Sequence, residues 1–477
     1  MTDRLSNATL SRAAVAKPGY DRLMLRPRIV HLGLGAFFRA HGAVYTEDAG
    51  GDWGIVGVSL QRPDQRDRLT PQDGLYTTLE RDGAGTRARV IGSVLSVLVA
   101  PEDPNTVVAA LAAPLTSIVS LTVTEKGYCH NPATGRLNPS HPDIAHDLAH
   151  PDAPRSAVGF IVAGLAARRA AHLKPFAVVT CDNLPANGGL LAELVRDFAA
   201  ARDPALADWI ALNVAFPATM VDRIVPAMTP ADRDDAQAAT GLSDAAPVSH
   251  EPFRQWVIED RFAGADRPLW ETAGAQIVAD VAPFEHMKLR LLNGAHSALA
   301  YLGYLAGYET IFDTVSDPVM NGFVRRLWAE IVPMVPPPPD TDLRSYTQDL
   351  LLRFANPRVR HRTWQIAMDG SQKLPQRLLG TIRERLHTGL PIPSLALAVA
   401  AWIRYVAGID EAGQPIDVRD PLAARLHALA NSENPVESVL TVREIFGNDL
   451  PADPAFTHPL TDAYHRLRQH GVRAAAQ

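Results

Sequence analysis

Arg28-Ile-Val-His-Leu-Gly-Leu-Gly35, followed by Ala36-Phe37-Phe38-Arg-Ala-His41, is the stretch that decides the fold. A short β-branched run stops at two glycines and gives way to a helical pattern. Glycines let a backbone approach an anion closely, and the first N–H groups of a helix point at it. The stretch therefore predicts a pyrophosphate seat formed by Gly33, Gly35, Ala36 and Phe37 in an α/β fold. Phe38 stands where the third glycine of such a turn is expected, so a plain strand-to-helix turn competes with this reading.

Outward from that turn, Gly54-Ile-Val-Gly-Val-Ser-Leu60 reads as a second strand. Its end would lie beside an adenosine ribose, where an acid suits NAD and an arginine suits NADP. Gln61-Arg62-Pro63-Asp64 offers both, so Arg62 is a cofactor candidate and the preference stays open. Residues 74 to 100 look β-rich, with Leu75–Leu79 and Ala88–Gly92 as strands around a turn at Asp82-Gly83. Ile118–Thr124 is an apolar, β-branched run suited to a parallel strand buried on both faces. Ligands bind at the carboxyl ends of such strands, which places Thr124, Glu125 and Lys126 against a cofactor or substrate unless they form a solvated turn. Lys174–Cys181 is another strand. Asn183 follows it, either donating a hydrogen bond into the crevice or, like Asp182, capping the next helix. Asn213–Pro226 is strand-like, and its Asp222-Arg223 reads unaided as a salt bridge.

From about Pro283 helical periodicity takes over. Pro283-Phe-Glu-His-Met-Lys-Leu-Arg-Leu-Leu-Asn-Gly-Ala-His-Ser-Ala-Leu299 predicts a helix with a buried apolar stripe that also carries Lys288, Asn293 and His296. At about 100° per residue, Asn293 falls roughly 140° and His296 roughly 80° from Lys288, within one half of the surface. A partly buried lysine beside an amide and an imidazole forms a proton-transfer set. A core helix with a polar rim is the alternative. Ser394–Gly408 predicts a buried helix, too short to span a bilayer and interrupted by Arg404. Pro336–Pro339 predicts a rigid connection.

With 477 residues, 47% of them hydrophobic, and a net charge of −6, the chain is expected to form two soluble domains, 1–283 and 284–477. No basic run suggests nucleic acid, no apolar leader opens the chain, and the expected location is the cytoplasm. Cys129 and Cys181 lack metal-ligand spacing and read as small buried hydrophobes. The expected assembly is a monomer or weak homo-oligomer.

Several motifs together resemble the polyol-specific long-chain dehydrogenases, the mannitol dehydrogenase family: Gly33-Leu-Gly-Ala-Phe37, Ser120-Leu-Thr-Val-Thr-Glu-Lys-Gly-Tyr128, Cys181-Asp-Asn183, Phe216-Pro-Ala-Thr-Met-Val-Asp-Arg223 and Glu285-His-Met-Lys-Leu-Arg-Leu-Leu-Asn-Gly-Ala-His296. The resemblance implies a Rossmann-type N-terminal domain, a mostly α-helical C-terminal domain and an active site in the cleft between them. It implies NAD as cofactor, with NADP open, and no metal. Lys288 becomes the general acid-base, and Asn183 and Asn293 donors to the reacting oxygen. His296 and Asp222 become substrate-hydroxyl contacts, and Glu285 lines the proton path. Segments Glu251–Asp260 and Arg360–Arg377 look most like the members that interconvert D-mannonate and D-fructuronate. A hexuronate needs a cation for its carboxylate. Lys373 is the first choice by family position, with Arg360 and Arg362 nearby. Two departures stand out: Phe38 replaces a histidine common in the family, and Gln365 stands where mannitol-oxidising members carry arginine. Mannitol, arabinitol, tagaturonate or altronate chemistry, a Schiff-base aldolase using Lys288, and a silent nucleotide-binding protein are the alternatives.

Overall fold

Five strands form the central sheet: β1 (Arg26–Leu32), β2 (Trp53–Ser59), β3 (Val94–Val99), β4 (Ile118–Leu121) and β5 (Ala177–Thr180). The computed structural model describes residues 2–131 and 134–477. The sheet order is β3-β2-β1-β4-β5, and every neighbouring pair is parallel. Chain order reverses between β1 and β4, which opens a crevice at the carboxyl ends of those strands. β2 is buried from end to end, as a parallel strand covered on both faces must be. One face packs on helices Ala157–Ala170 and Asn187–Arg202 through Phe160, Ile161, Leu194 and Phe198. The other buries Tyr45, Trp256 and Trp270.

Two smaller sheets flank this core. Tyr76–Arg81 and Thr86–Ile91 form an antiparallel hairpin, joined in parallel by Val248–His250. Asp82 closes its turn by accepting the N–H groups of Ala84 and Gly85. Gln255–Glu259 is central in the other sheet, between Thr219–Asp222 and Gln276–Val278. The expected strand over 213–226 is thus cut to four residues, because Asn213 ends a helix and Pro217 lacks a ladder donor. The β-rich segment 74–100 divides between the hairpin and β3 of the main sheet.

The chain divides into two units, Met1–Val281 and Ala282–Gln477, two residues ahead of the expected boundary. In the second unit, no described residue after Val278 belongs to a strand. Helices Ala295–Leu305 and Pro393–Val406 are buried on nearly all sides, so their sequences are apolar all round. The segment expected as one α-helix over 283–299 is three: α-helix Ala282–Met287, π-helix Lys288–Gly294 and α-helix Ala295–Leu305. The i→i+5 turn alters the angular register, which a 3.6-residue period cannot reveal. Among the described residues, no helix is long and apolar enough to cross a membrane.

Candidate active site

At the carboxyl ends of β1 and β4 lies a cavity of about 1100 Å³, lined by Gly33, Gly35, Arg62, Thr124 and Lys126 among others. Gly33 is required there: its φ is +89°, and a Cβ would meet the carbonyl oxygen of Thr122 at 2.2 Å. Ala36 and Phe37 begin the five-residue helix behind Gly35. Phe38 turns inward rather than toward the cavity. Its ring stacks on His31 of β1 at 3.3 Å and lies against Gly42, where a Cβ would meet it at 2.5 Å. An aromatic plate thus holds the helix to the strand where a third glycine would have allowed close packing.

Asp182, beyond β5, caps no helix. Its carboxylate accepts the backbone N–H groups of Val123 (2.9 Å) and Thr124 (3.0 Å) and the Tyr128 hydroxyl (3.1 Å). Burial raises its pKa to about 6. These bonds hold Thr124 at φ 63°, a positive φ unusual for a β-branched residue. Glu125 and Lys126 follow on the same turn, and Asn183 is exposed beside Asp182.

Asp222 is 3% exposed and pairs in register with Gln255. Its neighbour Arg223 donates to the carbonyls of Ala40 (2.6 Å) and Glu251 (3.1 Å) and lies 3.5 Å from Glu80. Burial lowers its pKa to about 10. Both cysteines are buried and free. The fold brings Cys129, His141 and Asp143 together, with one ligand atom from each within 4.8 Å of the others, an arrangement their sequence spacing conceals. His141 Nδ1 there accepts the Asp143 N–H at 3.3 Å, capping the following helix.

In the second unit Lys288, Asn293 and His296 are each buried, at 5%, 6% and 5% exposure. Asn293 Nδ2 and His296 Nε2 are buried without a hydrogen-bond partner. Such groups are costly unless something meets them. His296 stacks on Phe354 (4.5 Å) and meets His361 edge-on (5.1 Å). Burial, then His361, Arg353, Arg377 and Lys288 hold its pKa well below the usual histidine range, so the ring is neutral. Those four neighbours are all basic residue types. His361 is likewise depressed, to about 4, by burial and Lys373. Lys373 Nζ donates to the carbonyls of Met368 (2.6 Å) and Ile366 (3.3 Å). Arg360 and Arg362 are exposed and pair with Glu309 at 3.0 and 3.6 Å. Glu285 is partly buried one turn before Lys288.

Residues 27–272 match the mannitol dehydrogenase Rossmann domain and residues 280–468 the mannitol dehydrogenase C-terminal domain. The chain belongs to the mannitol dehydrogenase family. Within this oxidoreductase family it is 48% identical to the D-mannonate oxidoreductase of Escherichia coli (strain K12), over 97% of this chain and 98% of that one. It is 43% identical to the mannitol 2-dehydrogenase of Phaeosphaeria nodorum, over 99% and 85%. Among solved structures, the ternary complex of Pseudomonas fluorescens mannitol 2-dehydrogenase with NAD and D-mannitol superposes with a TM-score of 0.94. It is 39% identical, over 99% of this chain and 98% of that one.

Sequence reasoning missed the work of Asp182, which leaves no local signal and reads as a cap.

Proposed function

We propose that this enzyme interconverts D-mannonate and D-fructuronate with NAD. The observation that carries the substrate reading is the basic surround of buried His296: Arg353, Arg377 and Lys288 all lie close enough to act on its imidazole, a setting that suits an anion better than a neutral polyol. Similarity to a D-mannonate oxidoreductase supports it.

The Gly33-Leu-Gly35 turn and its cavity fit a dinucleotide: Gly33 and Gly35 line a space of about 1100 Å³, and Gly35 carries no side chain to narrow it. Held there by Gly33, Gly35, Ala36 and Phe37, a dinucleotide would supply the hydride acceptor for oxidation and the hydride donor for reduction. Lys288 takes the proton of the reacting hydroxyl in oxidation and returns it in reduction. Asn293 donates its orphaned N–H to the oxygen on which charge develops, and we assign Asn183 the same task. Neutral His296 holds a substrate hydroxyl, as does Asp222. Glu285 lines the proton path.

Initial rates read by absorbance of the reduced cofactor test this with mannonate, altronate, mannitol and arabinitol, each against NAD and NADP. The expected result is a kcat/KM for mannonate with NAD at least about 100-fold above that for mannitol, the discrimination of a site built around a charged group. A preference for mannitol or arabinitol would reject the substrate reading.

The Thr124 turn yields a second expectation. Asp182→Asn turns one acceptor oxygen into a donor and leaves a backbone N–H of Val123 or Thr124 unmet, at about 1–3 kcal/mol. The KM for NAD should rise about 10-fold with kcat changed little. An unchanged KM for NAD would remove this turn from the cofactor seat.

A further inference from the structure

Two π-turns pack together in the second unit: Lys288–Gly294, which carries Lys288 and Asn293, and Pro375–Leu379, which carries Arg377. The second has a visible cause, since Pro375 has no N–H to continue an α-helical ladder. At their contact, a Cβ on Gly294 would lie 2.8 Å from the carbonyl oxygen of Arg377. Only glycine permits that approach. It lays the Arg377 side chain along helix Ala295–Leu305, where Nη1 meets the Ser297 hydroxyl at 3.1 Å, one residue beyond His296.

We propose that Arg377 binds the carboxylate of the substrate and sets the preference for a sugar acid over a neutral polyol. This rests on the hexuronate reading above. The planar guanidinium offers a carboxylate two parallel N–H donors, which an ammonium cannot. The spacing fits. From Asn293, at the end of the π-turn, to Ser297, one turn into the α-helix, the axis advances roughly 5–6 Å. The reacting carbon and the carboxylate carbon of an extended hexuronate are four bonds apart, roughly 5 Å. The other basic residues near the segment are less well placed. Arg360 and Arg362 are 67% and 60% exposed at the side chain and share Glu309. Lys373 is turned onto the carbonyls of Ile366 and Met368.

The test compares wild type with Arg377→Met, Arg377→Lys and Ser297→Ala, using mannonate and mannitol with NAD and following folding by circular dichroism. For Arg377→Met, the KM for mannonate should rise about 10- to 100-fold, the range for losing hydrogen bonds to a charged group, with kcat within about threefold. The kcat/KM for mannitol should stay level or improve. Arg377→Lys, which restores charge without the fork, should fall between. Ser297→Ala frees the guanidinium and should raise the KM for mannonate about threefold, leaving mannitol unchanged. It serves the same purpose should Arg377→Met not fold. Arg377 is overturned as the anchor if mannonate KM stays within about twofold in Arg377→Met and Ser297→Ala, or if mannonate and mannitol suffer equally. A wild type that prefers polyols to every hexuronate defeats the substrate reading before any variant is made, so the two failures are distinct.

Discussion

Lys288→Ala should lower kcat by about 10³- to 10⁴-fold, the upper range for loss of a positioned general acid-base, while NAD binding changes less than about threefold. The side chain is 5% exposed in the π-turn, so bulk water is poorly placed to replace it as proton carrier. Lys288→Arg should be nearly as poor. Its positive charge persists, but a guanidinium does not release a proton at working pH. The pair of variants thus separates proton transfer from electrostatic stabilisation, for which arginine would serve. Stopped-flow absorbance of the reduced cofactor gives kcat, and quenching of protein fluorescence gives NAD binding. Residual activity above about a tenth of wild type in Lys288→Ala would mean that another group carries the proton. Substrate-dependent borohydride labelling of Lys288 would instead favour Schiff-base chemistry.

The sequence made the sheet legible where chemistry and period coincide. β1 and its glycine turn read directly, because only glycine tolerates the φ of +89° and the 2.2 Å approach at Gly33. β2, β4 and β5 read as continuous apolar runs because both faces are covered. Lys288, Asn293 and His296 were visible as polar residues on an apolar rod, and the structure shows all three buried. What stayed hidden depends on contacts distant in sequence. Phe38 looked like a lost polar contact, but its ring is spoken for by His31 and Gly42. The π-turn at Lys288 packs against the turn at Pro375–Leu379, more than eighty residues on, and no local period encodes it. Arg360, His361 and Arg362 read as one basic cluster. The fold turns the half-buried histidine edge-on to His296 and leaves both arginines to solvent and Glu309.

Buried neutral histidines should make the protein lose stability as pH falls below about 6.5, before most carboxylates titrate. Burial depresses His31 and His250 to about 3 and His361 to about 4, with His296 also well below its ordinary value. Between the ordinary value and these, the unfolded chain binds more protons than the folded one, so stability rises with pH and is lost on acidification. At about 1.4 kcal/mol per unit, His31, His250 and His361 each cost on the order of 2–3 kcal/mol by pH 4.5. Asp182 opposes them: with its pKa raised to about 6, the folded state binds the extra proton and regains about 2 kcal/mol over the same range. The net loss is several kcal/mol, a large part of the whole stability of many domains. His31 shows why the ring resists its proton. Thr122 Oγ1 donates to the Gly33 carbonyl and is left to accept from Nε2–H, so Nδ1 takes the Ser120 hydroxyl proton. A second proton would face that donor in a dry site under the Phe38 ring. Urea unfolding at constant ionic strength from pH 7.5 to 4.5 should therefore show a midpoint that falls steadily from about pH 6.5. His31→Gln should flatten the profile by about 1.4 kcal/mol per pH unit, whatever it does to stability at pH 7.5. A midpoint that holds level down to pH 5 would sink the account.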